Sequence, residues 1–416
     1  MRIKKLTFID NANQWSIKDL VLLDLTLLVG ISGVGKTKIL ESIYSLKRIA
    51  NGASIKGIKW EIEFDTLLKD SYIWEGEFEN VQNDVSIFAK EINDSEDEHQ
   101  KKYSIIYEKL FLNGNIISER KNDVIYYDNR PTVKLSSFQS ILKILKEDEI
   151  AKAANEFRKI VKGDFNTDVR NTLYPRSGVK KLLFEAENIS KVLNSQFSIS
   201  KNKITKSSED IEKISIFKES EIKLKSTILD NNLPLLPKLV MACKVLPQLF
   251  QVIKNQFTDI FPQVEDIKVD FVNTEGLPDI VKESPIIQIK EKNVDGWILQ
   301  FDLSSGMLKT LLQISMVLLS EPGSVFLVDE FENSLGINCI DILSENLLLQ
   351  NSSQFIVTSH HPYIINNIDM KYWKIVSRKG GEVQVKDVND LGLGKSKHEA
   401  FKQLINSREY SEGIFI

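Results

Sequence analysis

The sequence predicts an α/β fold in which a mixed parallel core sheet carries an antiparallel β layer and a helical insertion. Short, continuous apolar runs such as Leu25–Val29 are typical of strands buried in a parallel sheet. Strict alternation of apolar and polar residues, as in 58–64, is typical of strands with one buried face. From Ser140 to about residue 261 the apolar spacing becomes helical. These three patterns together favour a β-rich head interrupted by helices.

The same patterns predict three segments along the chain. The N-terminal part of the head, 1–139, begins with strands at 2–8 and 15–17 and ends with a hairpin of 103–112 and 116–127 across Asn113-Gly114. The insertion, 140–261, begins with one helix of about twenty residues that runs to Val161. The C-terminal part, 262–416, returns to strands, with a second hairpin formed by 286–290 and 297–301.

Composition limits the classes of protein that the chain can represent. With 416 residues, of which 42% are hydrophobic and 27% charged, we expect a globular protein of two or three domains, or one large head that carries insertions. Two distant cysteines and four histidines favour neither a disulfide framework nor a His-rich metal site. Because no apolar run is long enough to span a bilayer, we expect a soluble, cytoplasmic protein without a membrane partner. A net charge of −4 restricts any contact with nucleic acid to a local patch.

A glycine-rich element joins the apolar run 25–29 to a helical pattern. It has the form G-x-x-x-x-G-K-[ST], in which backbone amides and the helix N-terminus face phosphate oxygens. Lys36 supplies a positive charge to the β- and γ-phosphates, and Thr37 ligates Mg²⁺. The nucleotide-binding residues predicted from this element are Gly30, Ser32, Gly33, Val34, Gly35, Lys36 and Thr37.

Three further segments carry chemistry late in the chain. The apolar strand 325–328 ends in Asp329 and Glu330, which suit the Mg²⁺ shell and the attacking water, although the same pair also suits a surface turn. Ser304, Ser305 and Gly306 open an apolar helix and form either a second phosphate-binding surface or an ordinary helix cap. His360 lies just past another apolar strand.

The order of these segments resembles a known family. A P-loop is followed by Leu-Ser-Ser-Gly-Met at 303–307, Asp-Glu-Phe-Glu-Asn-Ser-Leu at 329–335 and Thr-Ser-His-His-Pro at 358–362. This order resembles the ABC-type P-loop NTPase heads of SMC, Rad50 and RecF proteins, within the AAA family of ATPases. It is most similar to stand-alone ATPase subunits of anti-phage defence systems such as PARIS, Septu and retron-associated loci. The resemblance covers about 1–60 and 285–380.

The resemblance implies roles for particular residues. Asp329 is the Mg²⁺-shell carboxylate and Glu330 the catalytic one, while His360 is the switch histidine that contacts the γ-phosphate. The signature 304–306 closes on ATP bound to a second subunit, with Ser305 where many members have glycine, and 334–336 is the D-loop. Gln139 is the candidate Q-loop residue that binds nucleotide and senses Mg²⁺, or else a neighbour of a helix cap. ATP and Mg²⁺ are the implied ligands.

The resemblance also implies a function. It predicts an ATP-hydrolysing homodimer, or a higher homo-oligomer, that responds to a phage-encoded trigger and controls an effector. The effector is expected to be a separate protein because the sequence contains no nuclease motif, and the resemblance implies that this protein is a nuclease. One alternative is a RecF- or SMC-like ATPase in DNA repair or DNA-end binding, which the basic residues within 158–181 keep open. Another is a scaffold that binds ATP with little turnover. Trp15 is open to two interpretations, stacking on adenine or covering the edge of the sheet.

Overall fold

The computed structural model describes two compact units. The residues described are 1–80, 102–121, 123–132, 135–163, 222–271, 284–331, 352–391 and 397–407, together with Tyr410 and Gly413. Unit 1 comprises Met1–Lys162, Gly323–Phe331 and Asn351–Ile416, and unit 2 comprises Gly163–Pro322 and Glu332–Gln350.

The elements are numbered in chain order. The strands are β1 (Arg2–Asp10), β2 (Trp15–Val21), β3 (Leu25–Val29), β4 (Ile58–Asp65), β5 (Ser71–Phe78), β6 (Ile105–Leu112), β7 (Asn115–Lys121), β8 (Val124–Tyr127), β9 (Arg130–Pro131), β10 (Ile160–Gly163), β11 (Val264–Phe271), β12 (Pro285–Glu291), β13 (Ile298–Leu299), β14 (Val325–Val328), β15 (Gln354–Ser359), β16 (Trp373–Lys379) and β17 (Glu382–Asp387). The α-helices are α1 (Lys36–Ala50), α2 (Ile141–Ile144), α3 (Asp148–Arg158), α4 (Leu235–Val245), α5 (Pro247–Ile260), α6 (Ser305–Leu318), α7 (Pro362–Asn367) and α8 (Lys397–Asn406).

One mixed sheet of fourteen strands organises unit 1. Its strand order is β10-β14-β15-β3-β16-β17-β2-β1-β4-β5-β6-β7-β8-β9. Four neighbours, β14, β15, β3 and β16, are parallel, and the first three are buried along their whole length. Strands buried on both faces are largely apolar, which explains the continuous runs in the sequence. The predicted α/β fold with a parallel core and an antiparallel layer is confirmed.

The antiparallel layer consists of β1 and β4–β8. Buried and more exposed side chains alternate along β4 and β5, as the alternation in the sequence predicts. The predicted hairpin at Asn113-Gly114 is confirmed, with φ of 49° and 85° at these two residues, as a tight two-residue turn requires. The segment 116–127 was predicted as one strand and is two, β7 and β8, because the chain turns at Asp123, which has a φ of 62°.

The helix predicted from Ser140 to Val161 is wrong in its extent. The chain forms α2, then extends at Leu145, where ψ is 149°, and then forms α3. Ile160 and Val161 lie in strand β10 at the edge of the parallel core. Helical spacing of apolar residues persists across the break because both helices bury one face. Phe157 of α3, for example, packs edge-on against Trp74 of β5, at 4.9 Å between ring centroids.

Unit 2 contains helices α4, α5 and α6 and a three-stranded antiparallel sheet, β11-β12-β13. The second predicted hairpin is confirmed as β12 and β13, although β13 is shorter than predicted. The two units follow different boundaries from the predicted segments 1–139, 140–261 and 262–416. Helices α2 and α3 belong with the β-rich unit, because their apolar faces pack on it, while strands β11–β13 and helix α6 belong to unit 2.

Among the described helices, none is long and apolar enough to cross a membrane by itself. Helices α4 and α5 reach the required length and composition only as a pair, and they are bent by 114° where they meet.

Candidate functional site

The predicted phosphate-binding loop connects the buried strand β3 to helix α1. Gly30 must lack a side chain, because a Cβ there would lie 2.5 Å from the carbonyl oxygen of Val376 on β16. Gly35 has a φ of 107° and is the N-cap of α1, so the loop turns directly into the helix. Ser32, Gly33 and Thr37 are exposed. The loop therefore presents its backbone and the positive end of a fifteen-residue helix to the solvent.

The side chain of Lys36 bends back over this loop. Its Nζ donates hydrogen bonds to the carbonyl oxygens of Gly30, at 2.6 Å, and Ile31, at 2.9 Å, and the residue is 8% exposed. Val34 anchors the loop from below, since its side chain is buried in the core of unit 1. The ammonium group is thus held at the centre of the loop, where a phosphate chain needs a positive charge.

Asp329 and Glu330 follow strand β14 at the same edge of the sheet. Asp329 is half-buried and Glu330 is exposed. The hydroxyl of Thr358, on the neighbouring strand β15, donates a hydrogen bond to Oδ1 of Asp329 at 2.6 Å and accepts one from the backbone N–H of Glu330 at 2.8 Å. Glu330 has a φ of 46°, which is unusual for a residue other than glycine. The two carboxylates therefore leave the sheet in a conformation that Thr358 holds.

The parallel register brings the loop, the carboxylates and His360 to one edge. In β15, Val357 pairs with Val328 of β14, and Ser359 pairs with Val29 of β3. Because parallel strands end at the same edge, the residues that follow β3, β14 and β15 lie side by side, with strands about 4.8 Å apart. The segments that the sequence singled out at 30–37, 329–330 and 360 are neighbours in the fold.

The two adjacent histidines differ in their surroundings. His361 is the N-cap of α7, and its Nδ1 accepts a hydrogen bond from the backbone N–H of Tyr363 at 3.2 Å. His360 is exposed and comes directly after β15. His360 therefore lies at the edge where the parallel strands end, while His361 begins the next helix.

Gln139 is not at this site, so the prediction that it binds nucleotide and Mg²⁺ is wrong. A Cβ on Gly52, just beyond the C-terminal end of α1, would lie 3.3 Å from Nε2 of Gln139. The phosphate-binding loop and Thr37 are at the other end of α1, a distance of about 22 Å at about 1.5 Å per residue. The backbone carbonyl of Gln139 accepts a hydrogen bond from Arg120 Nη2 at 2.6 Å. Gln139 thus belongs to the antiparallel layer.

The predicted signature residues lie in unit 2. Ser304 is the N-cap of α6, and its hydroxyl accepts a hydrogen bond from the backbone N–H of Met307 at 3.2 Å. Ser304 and Ser305 are exposed, and Gly306 is half-buried. They form a capped helix start, which is compatible with both interpretations that the sequence left open. The predicted D-loop at 334–336 lies outside the described residues.

Two residues near the site have positions that sequence reasoning did not predict. Thr358, which holds both carboxylates, was not singled out as a functional residue, although it belongs to the segment 358–362 that carries the family resemblance. Trp15 is 4% exposed, and its Nε1 would lie 3.6 Å from a Cβ on Gly35. It therefore packs beneath the phosphate-binding loop, and it neither presents an open face to a base nor covers a sheet edge.

One family model matches most of the chain. Residues 25–366 match the family model AAA_21, described as "AAA domain, putative AbiEii toxin, Type IV TA system". The matched range begins with β3 and ends within α7, so it contains all three segments of the site. No curated protein sequence matches the chain.

Several solved structures are similar over most of the chain. A Smc head domain with an extended coiled coil, bound to the C-terminal domain of ScpA, from Pyrococcus furiosus is 16% identical, with a TM-score of 0.47 over 94% of this chain and 98% of that one. A Smc head domain with a coiled coil and joint from Pyrococcus yayanosii is 12% identical, with a TM-score of 0.45 over 97% and 99%. A SmcHead bound to the C-winged helix domain of ScpA is 14% identical, with a TM-score of 0.43 over 93% and 97%.

Proposed function

The chain belongs to the AAA_21 family of AAA domains, and from this membership and the geometry of its site we propose that it binds and hydrolyses ATP with Mg²⁺. The observation that carries the proposal is the convergence of a phosphate-binding loop, two carboxylates and a histidine at one edge of the parallel sheet. Each of these segments follows a different strand, and only the fold makes them neighbours.

The residues present fit ATP and Mg²⁺. The loop offers backbone amides and a helix N-terminus to phosphate oxygens, and Lys36 adds a charge at its centre. Thr37 and Asp329 offer the oxygen ligands that Mg²⁺ prefers. When bound, the metal neutralises charge on the phosphates. Glu330 is the group that orients the attacking water and accepts its proton, and His360 donates a hydrogen bond to the transferring phosphoryl group.

We propose further that two copies share each site. The exposed start of α6, 304–306, is the surface that would close on ATP held by the loop of a second copy. A helix N-terminus favours negative charge by the same physical rule as the phosphate-binding loop. The assembly would be a homodimer, or a higher homo-oligomer built from such dimers.

The biological role that we propose is control of a separate effector, a nuclease, in the cytoplasm during anti-phage defence. The description of the matched family, which names an AbiEii toxin and a type IV TA system, supports a role of this kind. The groups that the described residues bring together are those of nucleotide hydrolysis, so the output is assigned to another protein. A phage-encoded component would be the trigger.

A DNA-repair ATPase is the competing function, and it needs a basic surface. Among the basic residues within 158–181 that the structure describes, two form ion pairs. Lys159 pairs with Glu156 and Lys162 with Glu41, each at 2.5 Å. Pairing of this kind reduces the positive charge available to phosphates.

Mixing two variants tests ATP hydrolysis and shared sites together. We expect Lys36→Ala to abolish ATP binding in isothermal titration and Ser304→Arg to leave it intact, with both homodimers inactive. A mixed dimer contains one site with both lesions and one with neither, so hydrolysis should reappear on mixing. Unchanged ATP affinity in Lys36→Ala would contradict the nucleotide site. Absence of recovery despite proven subunit exchange would contradict shared sites.

The defence role is tested in cells. We expect bacteria that carry the gene with its neighbouring reading frames to reduce phage plaque numbers, and Lys36→Ala in the same locus to restore them. Equal plaque counts with the wild-type and variant loci, across a phage panel, would contradict the role in defence. ATP-dependent binding of duplex DNA by the purified chain at physiological salt would favour the repair function instead.

A further inference from the structure

We infer that Thr358 is the residue that positions both carboxylates of the site, so that the hydroxyl of one strand sets the metal shell and the catalytic group of its neighbour. This inference rests on the proposed function. Thr358 is fully buried in β15, and Asp329 and Glu330 follow the adjacent strand β14. Thr358 acts through the two carboxylates and is a positioning residue.

The hydrogen bonds of Thr358 join it to three consecutive residues. Its hydroxyl donates to Oδ1 of Asp329 at 2.6 Å and accepts from the backbone N–H of Glu330 at 2.8 Å. Its backbone carbonyl accepts from the N–H of Phe331 at 3.0 Å. One hydroxyl has a single donor and two acceptor lone pairs, so the donor is committed to Asp329. Replacing the hydroxyl alone would therefore remove two of the three bonds and keep the third.

The bond to Asp329 restricts the rotation of its carboxylate. A hydrogen bond to a charged acceptor is stronger than one between neutral groups, and here the donor lies in a fully buried strand. The orientation of the carboxylate is then set before any metal binds. Loss of this bond should weaken the response to Mg²⁺ more than the affinity for the nucleotide, because the phosphate-binding loop takes no part in the bond between Thr358 and Asp329.

The bond to Glu330 supports a backbone conformation that the residue would not adopt by itself. Its φ of 46° is left-handed, a region that residues other than glycine, asparagine, aspartate and histidine rarely occupy. The backbone N–H of Glu330 donates to the hydroxyl of Thr358, and the N–H of Phe331 donates to the backbone carbonyl of Thr358. These two bonds hold the chain at Glu330 and at the residue that follows it. Without the hydroxyl, the backbone of Glu330 loses one restraint on its left-handed conformation, and a shift toward ordinary backbone angles would move its carboxylate.

Thr358→Val is the decisive substitution, because valine has the shape of threonine without the hydroxyl. We expect kcat to fall about 10- to 100-fold, as expected for the loss of hydrogen bonds to a charged group. The Mg²⁺ concentration for half-maximal activity should rise, while the affinity for ATP measured without Mg²⁺ stays within about twofold, since Lys36 and the loop are unchanged. Thr358→Ser retains the hydroxyl and should recover most of the activity and the Mg²⁺ response.

Thr26→Val is the matched control. Thr26 is also fully buried, on the adjacent strand β3. Its hydroxyl accepts a hydrogen bond from the backbone N–H of Leu23 at 3.0 Å, near the N-terminal end of β3 and away from the carboxylates. A merely structural role for buried hydroxyls predicts the same loss in both valine variants. Positioning predicts a fall in kcat and a shifted Mg²⁺ response for Thr358→Val only.

The outcomes separate this inference from the proposed function. Active wild-type protein with an equally active Thr358→Val, or with Thr358→Ser as impaired as Thr358→Val, would overturn the inference and leave the proposed function standing. A wild-type protein that does not hydrolyse ATP, alone or after mixing with a partner, would overturn both. If Thr358→Val does not fold, as judged by thermal melting, comparison of Thr358→Ser with Thr358→Ala gives the same contrast in a smaller side chain.

Discussion

Two glutamates in the same sheet of unit 1 have opposite surroundings. Glu330 lies two residues beyond Val328, the last residue of the parallel strand β14, and is exposed. Glu108 lies in the middle of the antiparallel strand β6 and is fully buried. A carboxylate at a strand end reaches solvent and ligands, whereas one in the middle of a strand on the inner face is surrounded by protein. The position along the strand therefore separates the role that we propose for Glu330 from the structural role of Glu108.

The contacts of Glu108 show what a buried carboxylate needs. Its oxygens accept hydrogen bonds from the indole of Trp74 at 2.9 Å, the hydroxyl of Ser140 at 2.5 Å and the backbone N–H of Ile141 at 2.9 Å. Arg120 lies directly opposite Glu108 on β7 and is equally buried, with 3.8 Å between its Nε and Oε2 of Glu108. Burial raises the pKa of Glu108, and Ser140 and Arg120 act in the opposite direction.

The difference teaches that the parallel edge and the antiparallel layer divide the work of the unit. The network around Glu108 joins the layer to the start of α2 and also holds the loop at 136–139 through Arg120. Nothing in that network faces the phosphate-binding loop. The cluster of Asp329, Glu330 and Thr358 instead places two carboxylates where the parallel strands β14 and β15 end.

The largest effect that we expect concerns the open edge. Glu330→Gln should retain ATP binding but lose hydrolysis by about 10²- to 10⁴-fold, because an amide cannot accept a proton from the attacking water. The free energy of unfolding should change by less than about 0.5 kcal/mol, as is usual for an exposed side chain. Single-turnover hydrolysis and chemical denaturation measure the two quantities. Turnover close to that of the wild type would assign the base to another residue and break the comparison.

The second prediction concerns the buried network. Arg120→Met keeps much of the side-chain volume but leaves Glu108 without its cation, and we expect the free energy of unfolding at neutral pH to fall by about 3–5 kcal/mol. Hydrolysis per folded molecule should stay within about twofold of the wild type, because the network does not reach the site. Denaturant titration and an activity assay normalised to the folded fraction measure this. A large loss of kcat with unchanged stability would contradict the division of roles.

The pH dependence of Arg120→Met checks its cause. Because the charge of Arg120 lowers the pKa of Glu108, its removal should raise that pKa further above its ordinary value. A carboxyl group with a raised pKa in the folded state stabilises the fold below its unfolded pKa, and that contribution is lost as pH rises through the folded pKa. The variant should therefore lose less stability relative to the wild type at acidic pH than at neutral pH. A difference that does not vary with pH would assign the loss to packing alone.

The sequence predicted the site best where one contiguous motif carries the chemistry. The strand 25–29, the glycine-rich loop and the helix that follows are adjacent in the chain, so local rules place them correctly. The alternating strands of the antiparallel layer were equally readable. The carboxylates and His360 could be related to the loop because parallel strands end at the same edge.

The errors occurred where long-range packing decides the structure. Gln139 was chosen because it precedes a helical pattern, but its place depends on Arg120, which holds its carbonyl in the antiparallel layer. The extent of the helix from Ser140 was overestimated because two short helices that bury one face share the spacing of a single helix. Thr358 acts across strands, and nothing in its local sequence identifies its partners.

The smallest effect that we expect concerns a contact that combines the two roles. Gly413 is buried against the phosphate-binding loop, and its carbonyl accepts a hydrogen bond from the N–H of Arg378 at 2.8 Å. A Cβ there would lie 2.8 Å from Cδ1 of Ile31 and from Cγ1 of Val34. Gly380 is the matched control, because its φ of 61° is close to the 63° of Gly413. A Cβ on Gly380 would meet nothing within 4 Å.

Both Gly413→Ala and Gly380→Ala should destabilise the protein by about 1 kcal/mol, because alanine is strained at a positive φ. Only Gly413→Ala should also weaken ATP binding, since the new methyl group pushes on the two side chains beneath the loop. The end of the Ile31 side chain can move, so we expect a loss of roughly threefold, equivalent to about 0.7 kcal/mol. Isothermal titration with both variants measures this difference. Equal ATP affinities of the two variants would show that packing under the loop does not affect its phosphate-binding face. The side chains of Ile31 and Val34 would then belong to the structural part of the unit, although they lie directly beneath the loop.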